Sequence, residues 1–81
     1  MNNQIKLIWD FRGPEALHTA SHHLIHLKEY LLIENIDSKI SACEHISEFH
    51  SIAYIVVPET QMIAIRDALK PHRGEYYTEN I

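Results

Sequence analysis

Ile40-Ser41-Ala42-Cys43-Glu44-His45-Ile46-Ser47-Glu48-Phe49 is the stretch on which the architecture turns. Ile40, Cys43, Ile46 and Phe49 recur every three residues, a spacing that suits a helix, and Ser47-Glu48-Phe49 lacks the Asn-Gly pair of a tight hairpin. The segment that follows, Ile52-Ala53-Tyr54-Ile55-Val56-Val57, is plainly strand-like. A helix over 40–49 would leave that strand in a very small sheet, whereas a strand there completes a compact one. The stretch is therefore read as a strand.

Upstream, Ile5 to Phe11 is the clearest strand: Ile5, Leu7, Trp9 and Phe11 share one face, and Lys6, Ile8 and Asp10 the other. Gly13-Pro14-Glu15 then opens a helix, because proline suits the first helical turn and an acid there favours the dipole. The helix is predicted to run to about Ile33, with Leu17, Ala20, Leu24, Leu27 and Leu31 as its core-facing stripe. Downstream, Pro58 to Lys70 forms a second helix with Met62, Ile65 and Leu69 inward, stopped by Pro71. Gly74 to Thr78 adds an edge strand. The order is β-α-β-β-α-β in one domain, 1–81, of the α+β class: a four-stranded antiparallel sheet with two helices on one face. Ile8, Tyr54 or Ile52, and a tyrosine of the last strand then fall on the uncovered side. An exposed apolar sheet face predicts a homodimer, closed sheet against sheet or edge against edge.

A chain of 81 residues buries only roughly 60% of the surface its unfolded form exposes, so its core is marginal alone. The single cysteine, Cys43, excludes an intramolecular disulfide and fits a reducing compartment, which leaves oligomerisation or a metal as the supplement. Cys43 itself reads as a small strand residue with no partner spacing of a redox or zinc motif. Met1-Asn2-Asn3-Gln4 lacks the regions of a signal peptide, and no apolar run approaches the ~20 residues that cross a bilayer, so the expected location is cytoplasmic. Seven Lys and Arg against eleven Asp and Glu give a net charge of −4, which argues against a phosphate-tracking surface and hence against nucleic acid. Thr60 and the serines lack the context of a nucleophile elbow.

Histidine carries the strongest chemical signal, with seven in the chain. On the first helix, His18, His22 and His26 lie outside the apolar stripe, with His23 nearer its boundary beside Tyr30. Residues four apart are neighbours, so His18/His22 or His22/His26 could chelate one cation, whereas His18 and His26, about 12 Å apart along the axis, could not share one. The topology brings a second group to one end of the sheet: Asp10, Arg12, Glu15, His18, His45, Glu48, His50, His72 and Arg73. From this rim, Asp10, Arg12, His18, His45, His50 and His72 are the expected ligand-binding residues. His18, His22, His26, His45 and His50 are the expected metal ligands, in a nitrogen and carboxylate mixture that suits zinc, nickel or ferrous iron. The bland alternative is a solvated surface, with Trp9-Asp10-Phe11-Arg12 as core plus a helix-start acid.

At fold level, Ile5 to Tyr77 resembles ferredoxin-like domains, a class that includes ACT regulatory domains and dimeric α+β barrels. Asp10-Phe11-Arg12-Gly13-Pro14-Glu15-Ala16-Leu17 is similar to the Asp-x-Pro-Gly-Leu turn through which ACT domains bind amino acids, with the proline after the glycine and one residue extra. That resemblance implies an anionic metabolite at the first turn, beside Arg12. Dimeric α+β barrels match in architecture, which implies a mouth histidine, His18, His45 or His50, acting as general base with Asp10 orienting it. His50-Ser51-Ile52-Ala53-Tyr54-Ile55-Val56 lacks the basic residue, glycine and paired aromatics of RNA-recognition domains, and the Cys-x-x-Cys loop of heavy-metal-associated domains is absent. The leading expectation is a homodimeric ligand-binding domain holding a small ligand or divalent metal at the rim. The remaining alternative is an interaction protein without a small-molecule site.

Overall fold

The computed structural model describes residues 3–38 and 40–77. Its elements are β1 (Gln4–Arg12), α1 (Ala16–Ile33), β2 (Ile40–Ser47), β3 (His50–Pro58), α2 (Glu59–Leu69) and β4 (Arg73–Tyr77). The strands form one four-stranded antiparallel sheet in the order β2-β3-β1-β4. This is the ferredoxin-like α+β arrangement. The ambiguous stretch 40–49 is strand followed by turn, because β3 offers it a full ladder from Ile40 opposite Val56 to His45 opposite Ser51. Tertiary pairing overrides the helical spacing of its apolar residues. The irregularity between His45 and Ser47 is where the ladder adjusts to the turn.

Alternation along β1 builds the core. Ile5, Leu7 and Trp9 pack with Ala53, Ile55 and Val57 of β3 beneath Ala20, Leu27 and Leu31 of α1 and Ile65 of α2. Phe11, Leu24, Met62 and Leu69 pack partly against the same cluster. Trp9, only 3% exposed, donates its indole N–H to the carbonyl of Leu69 at 3.1 Å, tying β1 to the end of α2.

Several boundaries differ from the expected ones. Gly13, Pro14 and Glu15 form a turn and α1 begins at Ala16, so the proline and the acid precede the first helical turn. Gly13 has φ of +114°, a conformation that glycine tolerates, and its N–H donates to the carbonyl of Phe49 at 2.8 Å. The turn after β1 is thereby pinned to the tip of the β2–β3 hairpin. Ala16 replaces Leu17 in the core stripe: Leu17 is 47% exposed, because at about 100° per residue it falls with Ile25 and Leu32 on the flank of α1. Pro58 precedes α2 and Lys70 follows it in the left-handed conformation, ahead of Pro71. β4 ends at Tyr77, and Thr78 lies outside the described residues.

The face without helices is not the exposed apolar surface that the sequence suggested. Ile8, Ile52 and Val56 lie on it, yet they are 1%, 3% and 0% exposed. Register places longer polar and aromatic side chains beside them: Lys6 reaches over the Tyr54 ring, 4.2 Å from its centroid, and Asp10, His50 and Arg73 join across three strands. The accessible large apolar groups lie elsewhere, on α1 (Leu17, Ile25, Leu32, Ile33), at the hairpin (Ile46, Phe49) and at Ile63 and Tyr76. No helix among the described residues is long and apolar enough to cross a membrane.

Candidate functional site

Asp10 is the hub of the polar rim. It follows Trp9 on β1, so alternation turns its carboxylate to the open face while the indole enters the core. His50 on β3 places Nε2 at 2.8 Å from Asp10 Oδ1. Arg73, the first residue of β4, donates Nε–H to Oδ2 at 3.0 Å and Nη2–H to Oδ1 at 3.2 Å, a bidentate grip. The guanidinium hydrogen bond is the leading influence on the Asp10 carboxyl, with the hydrogen bond of His50 and both charges acting the same way. Together they outweigh the upward push of burial and hold its pKa at about 2. Asp10 is therefore not a helix-start acid; it is an acceptor shared by two neighbouring strands.

His72 completes the rim through the backbone. The N–H of Asp10 donates to His72 Nδ1 at 2.8 Å, and the N–H of His72 donates to the carbonyl of Ile8 at 2.9 Å. The ring thus continues the β1–β4 ladder beyond the first residue of β4. In a neutral imidazole one nitrogen accepts and the other donates, so this contact assigns the proton to Nε2. By the same logic the carboxylate of Asp10, an acceptor, is met by an N–H on His50 Nε2.

The fold gathers Asp10, His50, His72 and Arg73 and disperses the other rim candidates. His45 pairs with Ser51, whose neighbours Ala53 and Ile55 lie on the helix side of the sheet, so it does not join His50. His18 is exposed on the outer side of α1. Arg12 is opposite His50 in the ladder and exposed. No group of three or more His, Cys, Asp or Glu side chains among the described residues is arranged to hold a metal ion. One pair of the helical stripe does meet: the rings of His22 and His26 lie edge to face with centroids 4.9 Å apart, and His26 Nδ1 is 3.3 Å from Glu29 Oε1.

His23, adjacent to His22 in sequence, has the opposite environment. Its ring lies between Trp9 and Phe11, with centroids 5.2 and 5.4 Å away, and its Nε2 is buried with no hydrogen-bond partner among the described residues. Burial leads in lowering its pKa, with smaller effects of the same sign from His26 and His72. Ser51 Oγ is likewise buried and unpaired, and nothing in the structure explains it.

A groove on the helix side of the sheet was not legible in the sequence. It lies between α2 and β4 and encloses about 410 Å³. Ile5 and Leu7 form its floor, Met62 and Arg66 line it from α2, and Pro71 and His72 stand at one end with Glu59 and Tyr76 at the other. The groove exists because β4 presents Gly74 opposite Leu7, where a Cβ would stand 3.3 Å from Leu7 Cδ2. The far end is organised: the Tyr76 hydroxyl donates to Glu59 Oε2 at 3.1 Å and Asn3 Nδ2 donates to Oε1 at 3.2 Å. The first of these hydrogen bonds raises the pKa of Tyr76, because the phenolate would lose its donor beside a carboxylate. The sequence signals were Gly74 in a tyrosine-rich strand and the Met62/Arg66 pair one helical turn apart.

Comparison of the chain with family models, curated proteins and solved structures finds no match.

Proposed function

We propose that this chain is a cytoplasmic small-ligand-binding domain that works as a homodimer, with its ligand in the groove between α2 and β4 against His72. The observation that carries this reading is the groove itself: about 410 Å³ over an apolar floor with a few polar groups at its ends. Small-molecule sites share that size and chemistry. The rim cluster supports the groove from the other face of the sheet, because Asp10 holds Arg73 by its carboxylate and His72 by its backbone N–H. Octanol and octanoate are suitable probes. Either should perturb the NMR amide signals of Met62, Gly74 and Tyr76, and not those of Ala42 and Glu44; Gly74→Leu, which fills the groove, should abolish the effect. If neither probe moves the groove signals, the reading fails.

The dimer surface that best suits this fold is the β2 edge with the flank of α1. β2 is an edge strand without proline or lysine among Ile40–Ser47, and Leu17, Ile25 and Leu32 are exposed on the helix beside it. Sedimentation velocity should show a dimer that Leu32→Glu dissociates; a monomer at all concentrations would refute it.

A second reading concerns divalent metal. Glu29 at His26 Nδ1 is the carboxylate–histidine arrangement that orients a ring for coordination through its other nitrogen, and His22 stands one turn away. On this reading zinc, nickel or ferrous iron binds the His22/His26 pair. The rim is less suited to a cation because Arg73 already holds both oxygens of Asp10. Calorimetry with zinc on tag-free protein tests it: His22→Ala/His26→Ala should remove binding while His45→Ala/His50→Ala leaves it. The reverse pattern would return the metal to the rim.

A further inference from the structure

The groove between α2 and β4 is polarised along its length, and that polarity selects a ligand class. At one end stand Arg66 and His72; at the other stand Glu59 and Tyr76, with Met62, Leu7, Ile5 and Gly74 between them. We infer that the groove takes a small amphipathic monocarboxylate, with its carboxylate at Arg66 and His72 and its apolar chain running over Leu7, Ile5 and Met62 towards Tyr76. This inference rests on the groove being the ligand site, and it adds the charge and direction of the ligand.

Each end contributes a separate reason. His72 Nδ1 is occupied by the backbone N–H of Asp10, so the neutral ring presents Nε2–H as a donor, the role that an anionic oxygen requires. Arg66 spends Nε–H on the neighbouring Asp67 at 3.3 Å in an exposed pair, and its terminal nitrogens remain for a ligand carboxylate. Arg73 also lines the groove, but Nε and Nη2 are committed to Asp10. At the opposite end the carboxylate of Glu59 already accepts hydrogen bonds at both oxygens, from Asn3 and Tyr76, and its negative charge repels a carboxylate placed the wrong way round. The floor offers only apolar contact between those ends, which suits an alkyl or aryl chain.

Octanoate, octylamine and octanol share one chain length and differ in head-group charge, so their affinities for the full-length protein separate charge from apolar burial. Octanoate should bind at least tenfold more tightly than either of the other two, with chemical-shift changes centred on Arg66, His72 and Met62. Arg66→Gln, an exposed substitution, should erase that preference and bring octanoate to the affinity of octanol; Arg66→Lys should restore part of it. In ¹⁵N spectra, octanoate should shift His72 Nε2 and leave His22 unmoved. Equal affinities for octanoate and octanol, or a preference for octylamine, would overturn the monocarboxylate assignment while leaving the groove as the site. Binding of none of the three would overturn the assignment together with the ligand-binding reading on which it rests.

Discussion

The two faces of β1 carry different chemistries at similar depth. Odd-numbered Ile5, Leu7 and Trp9 meet the helices, and even-numbered Ile8 is as buried as they are on the face that no helix covers. On the helix side burial comes from apolar packing, with Trp9 hydrogen-bonded to the end of α2. On the open side Asp10, His50 and Arg73 link β3, β1 and β4, and Lys6 stacks over Tyr54. An uncovered sheet face need not be an exposed apolar one. Ionic links and long side chains can stand where a second layer would otherwise be needed.

The helix side is the more sensitive of the two faces. Trp9→Ala should cost about 3–5 kcal/mol in denaturant unfolding, since it removes a large buried ring and orphans the carbonyl of Leu69. A loss under about 1 kcal/mol would mean that the core does not depend on this face.

On the open side Asp10→Asn should cost about 2 kcal/mol at neutral pH, because charge-assisted hydrogen bonds to His50 and Arg73 become neutral ones. The folded carboxyl, at about 2, lies below its ordinary 3.8. The unfolded chain therefore takes up this proton first as pH falls, and the stabilisation is complete above the ordinary value and lost as pH falls towards about 2. Asp10→Asn should flatten that part of the stability curve; an unchanged slope would show that the rim contributes no net stability.

His23 gives a smaller effect of opposite sign. Its Nε2 is buried without a partner, so His23→Leu should stabilise the fold by about 1 kcal/mol through apolar packing between Trp9 and Phe11. Its folded pKa lies below the ordinary 6.5, so the wild-type contribution is complete above that value and diminishes as pH falls below it. The Leu variant should lose this mildly acidic component, which thermal melts across that range would read. The smallest effect belongs to exposed His22 and His26: replacing both with alanine should change stability by less than about 0.5 kcal/mol and, on the metal reading, remove zinc binding. On the metal reading, these adjacent histidines, 22 and 23, separate a ligand role from a structural one.

The sequence was most informative where alternation or helical spacing coincides with burial. The odd positions of β1, the extent of α1 to Ile33 and the inward Ile65 of α2 follow from local pattern, because each element buries one face. The strand over Ile40–Ser47 followed from the whole order of elements and not from its own three-residue spacing. The site was legible in part: reasoning from topology to one end of the sheet places Asp10, His50, His72 and Arg73 on a common rim. It also placed His18 and His45 there. End-of-sheet proximity does not specify which face a side chain takes, and β2 pairs His45 with Ser51 on the other side.

By itself the sequence determined the β-α-β-β-α-β order, the apolar faces of β1, α1 and α2, the negative charge and the outward course of His18, His22 and His26 along α1. Those properties are local or compositional, and periodicity and residue chemistry suffice for them. Tertiary structure alone decided that Asp10 joins Arg73 across 63 positions, that His23 is enclosed while His22 is exposed, and that Gly74 leaves a groove beside α2. Each depends on strand register and on the volume left between packed elements. A shift of one residue in pairing would exchange the two faces of β1 and leave neither the rim nor the groove in place.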